Sequence, residues 1–87
     1  MNDMITVDIK TPNNEILEGS QIPSDYSIQM VIDELIDSLK LPRITESAEP
    51  IEYTLFSSFK GQILEANKTV DIQEVKNGDT LILQVPL

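Results

Sequence analysis

A single amphipathic helix between segments that alternate with a period of two is what most constrains this chain. Ile28, Val31, Ile32, Leu35, Ile36 and Leu39 recur at spacings of three and four, which places them on one helical face. Gln29, Asp33, Glu34 and Asp37 fall on the other. Ser27 stands where its hydroxyl can accept from a free first-turn N–H. Lys40 is placed in the last turn, where a cation suits the helix dipole, and Pro42 stops the helix. Such a stripe is buried only by packing against a second layer.

The flanking segments supply that layer. Ile5, Val7 and Ile9 alternate with Thr6, Asp8 and Lys10, the pattern of a half-buried strand. Thr11-Pro12-Asn13-Asn14 is a turn, and an extended segment resumes over Glu15 to Gln21, so the N-terminus reads as a hairpin. Pro23-Ser24-Asp25 breaks the chain before the helix. After it, Arg43 to Pro50 is a polar loop. Ile51, Tyr53 and Leu55 then alternate with Glu52, Thr54 and Phe56 as a third strand. Lys60-Gly61 is a turn, Gln62 to Glu65 a short fourth strand, and Ile72 to Val75 a single helical turn. Asn77-Gly78-Asp79 is a tight turn, Asn-Gly favouring positive φ. Thr80 to Val85 is the last strand, with Leu81, Leu83 and Val85 on one face.

The order is β-β-α-β-β-β. It predicts a two-layer α+β domain spanning residues 1–87, with the helix on one face of a mixed sheet of four to five strands. The first and last strands, the most strongly patterned, are expected at the sheet's centre. At 87 residues, 40% hydrophobic and 24% charged, the chain fits one folded domain.

Composition narrows the chemistry. The chain holds neither cysteine nor histidine, so it offers no thiolate, no disulfide and no imidazole base or metal ligand. Asp33, Glu34 and Asp37 share a helix flank, but one flank gives too few converging oxygens for a hard cation. Ser57-Ser58-Phe59-Lys60 matches a Ser-x-x-Lys spacing, yet it falls at a strand end rather than on the helix that acyl-transfer enzymes use. Asp71, Glu74 and Asp79 lack calcium-loop spacing, and the glycines form no phosphate loop. The expectation is a protein that is not an enzyme and has no cofactor. A net charge of −9 repels phosphate backbones and anionic lipid. Another protein, carrying a basic or apolar patch, is the expected partner, with no nucleic acid and no membrane insertion. Met1-Asn2-Asp3-Met4 has no signal-peptide pattern and no apolar run reaches the ~20 residues of a bilayer span, so the expected location is cytoplasmic.

The element order resembles the ubiquitin-like β-grasp superfamily, and particular segments carry the resemblance further. Ile22-Pro23-Ser24-Asp25 with Ser27-Ile28 looks like the lead-in to ubiquitin's helix. Gly61-Gln62-Ile63-Leu64-Glu65 with Thr69-Val70 looks like its fourth strand and following loop, and Thr80-Leu81-Ile82-Leu83 like its last strand. The helix Val31 to Leu39, and the stretch from Val75 through Asn77-Gly78-Asp79 to Leu83, are similar to the YukD/EsaB family. Those are small ubiquitin-like proteins associated with type VII (WXG-type) secretion in Gram-positive bacteria. The resemblance implies a non-catalytic protein-binding module serving such a secretion machine as an accessory or regulator.

Ubiquitin's main binding surface lies on the exposed sheet face around its third and last strands. By alternation, Thr54, Phe56, Ile82 and Gln84 face outward here, with Phe56 and Ile82 the large apolar pair. They form the candidate protein-interaction surface; the competing reading packs Phe56 beside Ser57-Ser58-Phe59. The alternative function is a ubiquitin-like modifier or sulfur carrier. Both need a C-terminal Gly-Gly tail, whereas no glycine follows Gly78 and the sequence ends Gln84-Val85-Pro86-Leu87. The YukD/EsaB family also lacks the diglycine.

Overall fold

A computed structural model describes residues 3–85. Its elements are β1 (Met4–Lys10), β2 (Ile16–Pro23), α1 (Ile28–Leu39), β3 (Thr54–Ser57), β4 (Gln62–Ile63) and β5 (Thr80–Gln84). They follow the expected β-β-α-β-β-β order. The strands form one five-stranded mixed sheet, ordered β2-β1-β5-β3-β4. β1 and β5 therefore have neighbours on both sides, as their patterning predicted. They pair in parallel, while β1–β2, β3–β5 and β3–β4 are antiparallel.

The helix forms as its spacing dictates. The Ser27 hydroxyl accepts from the Met30 N–H, and Ile28, Val31, Ile32, Leu35 and Ile36 are buried. They meet the inward side chains of the sheet: Val7 and Ile9 of β1, Ile22 of β2, Leu55 of β3, and Leu81 and Leu83 of β5. Lys40 departs from expectation. It lies past the last helical turn as a left-handed cap at φ 54°, with the Leu41 N–H reaching back to the Ile36 carbonyl. No glycine is available there, so lysine takes the conformation that ends the helix.

Several strand ends differ from the sequence reading. β2 runs on to Pro23, because Ile22 pairs with Ile5 and Pro23 with Met4; proline is tolerated on an edge strand, where its missing N–H breaks no ladder. Gly19, at φ 64°, sits where the β1–β2 register shifts, and its N–H donates to Asp8 Oδ1. β3 starts at Thr54 rather than Ile51, since Thr54 already pairs with Gln84, the last residue of β5. Tyr53 is nonetheless buried and donates its hydroxyl to the Pro42 carbonyl. Val85 lies past that last pair and is 45% exposed, so it does not share the buried face of Leu81 and Leu83. β4 stops at Ile63 instead of Glu65, because the buried Gln73 side chain takes the Glu65 N–H and donates back to the Glu65 carbonyl. The single turn of helix expected over Ile72 to Val75 is not formed as helix; residues 70–74 are a hydrogen-bonded turn instead. Val70 and Val75 plug into the core, while Ile72 is 68% exposed. The Arg43 to Pro50 loop is closed by an isolated bridge between Ile44 and Pro50.

Candidate protein-interaction face

The sheet turns one side to the helix and the other outward. On the outward side, Thr54 pairs with Gln84 and Phe56 with Ile82 across β3 and β5. All four residues are half-buried. The structure thus brings the four sequence-selected residues into one block, with the apolar pair side by side.

That block belongs to a longer row. Ile63 of β4 opposes Phe56, Lys10 of β1 is level with Ile82, and Ile16 of β2 is level with Lys10. One residue from every strand therefore falls in register: Ile16, Lys10, Ile82, Phe56 and Ile63. Its two ends are open to solvent, Ile16 at 55% and Ile63 at 51%. The lysine stem can extend the apolar track while its ammonium stays in water. Ile16, Lys10 and Ile63 were absent from the sequence-based surface. Periodicity within one strand says which side a residue faces, but not which residue stands opposite. The short link between β3 and β4 carried the missing signal, because its length sets the Phe56–Ile63 register. The alternative packing of Phe56 beside the following loop gains no support from Phe59, which is itself 66% exposed.

The polar groups weighed for chemistry have structural employment. Asp37 and Asp33 hold Arg43 at 2.6 and 3.7 Å, and the Asp37 hydrogen bond is the largest influence raising the guanidinium pKa above its ordinary value. Glu34 accepts from the Tyr26 hydroxyl at 3.2 Å. Ser57 and Lys60 close a turn: the Ser57 hydroxyl donates to the buried Asp79, the Lys60 N–H donates to Ser57 Oγ, and Lys60 Nζ donates to the Gln73 carbonyl. Among the described residues there is no cluster of three or more acidic side chains placed to hold a metal ion. Among them, too, no helix is long and apolar enough to cross a membrane. Pro86 and Leu87, on which the reading of the C-terminal tail rests, lie outside the described residues.

No protein-family model matches the chain, and no curated protein matches it. Solved structures do. A protein designed on the basis of ubiquitin is 18% identical, with 94% of this chain and 88% of that one covered and a TM-score of 0.70. A structure described as molecular mimicry of SUMO that promotes DNA repair is 20% identical, covering 97% and 94%, with a TM-score of 0.71. The N-terminal ubiquitin-like domain of the 4931431F19Rik protein is 16% identical, covering 100% and 79%, with a TM-score of 0.71. At these identities the likeness is one of architecture. The chain has the ubiquitin-like β-grasp fold: five strands in a mixed sheet, with one helix packed across it.

Proposed function

We propose that this protein is a non-catalytic, cytoplasmic binding module that engages a protein partner through the outer face of its sheet. The in-register row Ile16, Lys10, Ile82, Phe56 and Ile63 carries the reading. A cross-sheet track of large apolar side chains with a mostly polar surround has the make-up of a recognition surface. The net charge of −9 favours a partner with basic groups around an apolar centre. Within that class, the likeness of the helix and of the Val75 to Leu83 stretch to the YukD/EsaB family supports an accessory or regulatory role in bacterial type VII (WXG-type) secretion.

The test is genetic complementation joined to binding. Deletion of the gene is expected to reduce export of WXG-type substrates, with the wild-type protein restoring it and the Phe56→Ala/Ile82→Ala variant failing to do so. Unchanged export after deletion would remove the secretion role and leave the binding face untouched. Full restoration by the folded double variant would remove the face. Intact mass of the protein from its native cells separates the modifier or sulfur-carrier reading, which requires isopeptide or thiocarboxylate adducts, from a binding module, which carries none.

A further inference from the structure

We propose that Asn77 is a chemical modification site held shut by the fold: its side-chain amide is lost as ammonia to the Gly78 nitrogen once the turn that carries both leaves β1. Asn77 is the one asparagine of the chain followed by glycine. Glycine has no Cβ to hinder ring closure onto its nitrogen, so in an open chain this pair is chemically labile. Both residues are exposed in the turn that precedes β5. The folded protein nonetheless ties down the two reacting groups. The Thr6 N–H donates to Asn77 Oδ1 at 2.8 Å, and the Gly78 N–H donates to the Thr6 carbonyl at 2.9 Å. One residue of β1 therefore clamps the electrophile with its donor and the nucleophile with its acceptor.

That clamp continues the central seam of the sheet. Two residues on, the Asp8 N–H donates to the Asp79 carbonyl at 3.0 Å, and the parallel β1–β5 pairing starts at Asp8 and Thr80. The turn opens only by breaking the bonds that begin this seam. When it does, the reaction needs nothing but water and involves no oxidation or reduction. The Gly78 nitrogen gives its proton to hydroxide and attacks Asn77 Cγ. The new C–N bond closes an imide ring and the Cγ–Nδ2 bond breaks; the departing nitrogen takes a proton from water and leaves as ammonia. Water then opens the imide at one of its carbonyls. Breaking the bond between Gly78 N and Cγ leaves an ordinary aspartate, which keeps an Oδ for the Thr6 N–H. Breaking the bond between Gly78 N and the main-chain carbon of residue 77 leaves an isoaspartate, with an added methylene in the backbone. That insertion falls beside Asp79, which has no exposed surface and accepts from the Ser57 hydroxyl and the Phe59 N–H. The isoaspartyl form is thus an irreversible mark on chains that have opened.

The test incubates the full chain at mildly alkaline pH, folded in buffer or unfolded in guanidinium, and maps its peptides with isoaspartate detection. In guanidinium, Asn77 is expected to be lost before Asn13, Asn14 and Asn67. In buffer its loss should be about thirtyfold slower, the ratio that two net hydrogen bonds sustain. Thr6→Pro removes one clamp and should speed the loss in buffer about fivefold while leaving the rate in guanidinium unchanged. Should that variant fail to fold, the refolded products supply the second check. The aspartate form and the Asn77→Asp variant should melt with the wild type, and the isoaspartate form about 5–10 °C lower. Equal loss in buffer and guanidinium, earlier loss of another asparagine in guanidinium, a folded Thr6→Pro protein no faster than the wild type, or an isoaspartate form of wild-type stability would overturn the proposal.

Discussion

Phe56 and Ile82 stand directly opposite each other across the antiparallel β3–β5 ladder, while the residues beside them in sequence, Leu55 and Leu81, point into the core with no exposed surface. Adjacent positions on one strand thus serve different ends. The inner side chain holds the sheet to the helix, and the outer one stays half open to solvent.

That division predicts unequal stability costs. Leu55→Ala should cost about 4 kcal/mol, as for other fully buried aliphatic truncations, and Phe56→Ala about 2 kcal/mol because its ring is half-buried already. Urea unfolding at neutral pH measures both. Equal costs would mean that Phe56 is a core residue, and would undercut its assignment to a recognition face.

Asp79 should behave as a structural carboxylate. It has no exposed surface, accepts from the Ser57 hydroxyl at 2.5 Å, and accepts from the Phe59 N–H at 3.0 Å. Asp79→Ala leaves both donors without their acceptor and is expected to cost about 3 kcal/mol. Combining it with Ser57→Ala should cost less than the sum of the single changes, because the two residues share one bond. Strict additivity in a denaturation double-mutant cycle would show that the bond contributes nothing.

These contrasts mark what was legible in the sequence. The helix and the inward sides of β1, β3 and β5 could be read because burial imposes a period, and Val7, Ile9, Leu55, Leu81 and Leu83 obey it, although Val85 does not. The outward block of Thr54, Phe56, Ile82 and Gln84 could be read for the same reason. The full row could not, since joining Ile16, Lys10 and Ile63 to it depends on inter-strand register. Asp79 and Gln73 were illegible for another reason. Asp79 is held by Ser57, 22 residues away, and Gln73 by Glu65, 8 residues away across a loop, and no periodic pattern announces a satisfied polar group in a core.

The Tyr26–Glu34 pair gives a pH-dependent prediction. The negative charge of Glu34, followed by its hydrogen bond, raises the Tyr26 phenol above its ordinary value, which is about 10. A phenol is neutral when protonated, so a raised pKa means that the folded state holds the proton more tightly than the unfolded chain does. The stabilisation is fully present below the ordinary value and is lost as pH rises through the raised one. Ring-carbon NMR across an alkaline titration should place Tyr26 ionisation higher in the wild type than in Glu34→Gln. Identical midpoints would show that the carboxylate does not act on the phenol.

Lys40 offers the opposite kind of test, a gain in stability where the chain carries local strain. Its backbone is left-handed, at φ 54° and ψ 44°, and its side chain is exposed. A residue with a Cβ pays about 1–2 kcal/mol for that conformation, while glycine adopts it freely but adds about 0.5–1 kcal/mol of unfolded-state entropy to be lost. The balance favours glycine by roughly 0.5–1 kcal/mol. In a domain of this size each kcal/mol moves the melting temperature by about 4–8 °C. Lys40→Gly should therefore melt a few degrees higher. Lys40→Ala keeps the Cβ and hence the strain, so it should melt close to the wild type. If alanine raised the melting temperature as much as glycine, the gain would come from removing the lysine side chain, and the left-handed cap would not be its cause.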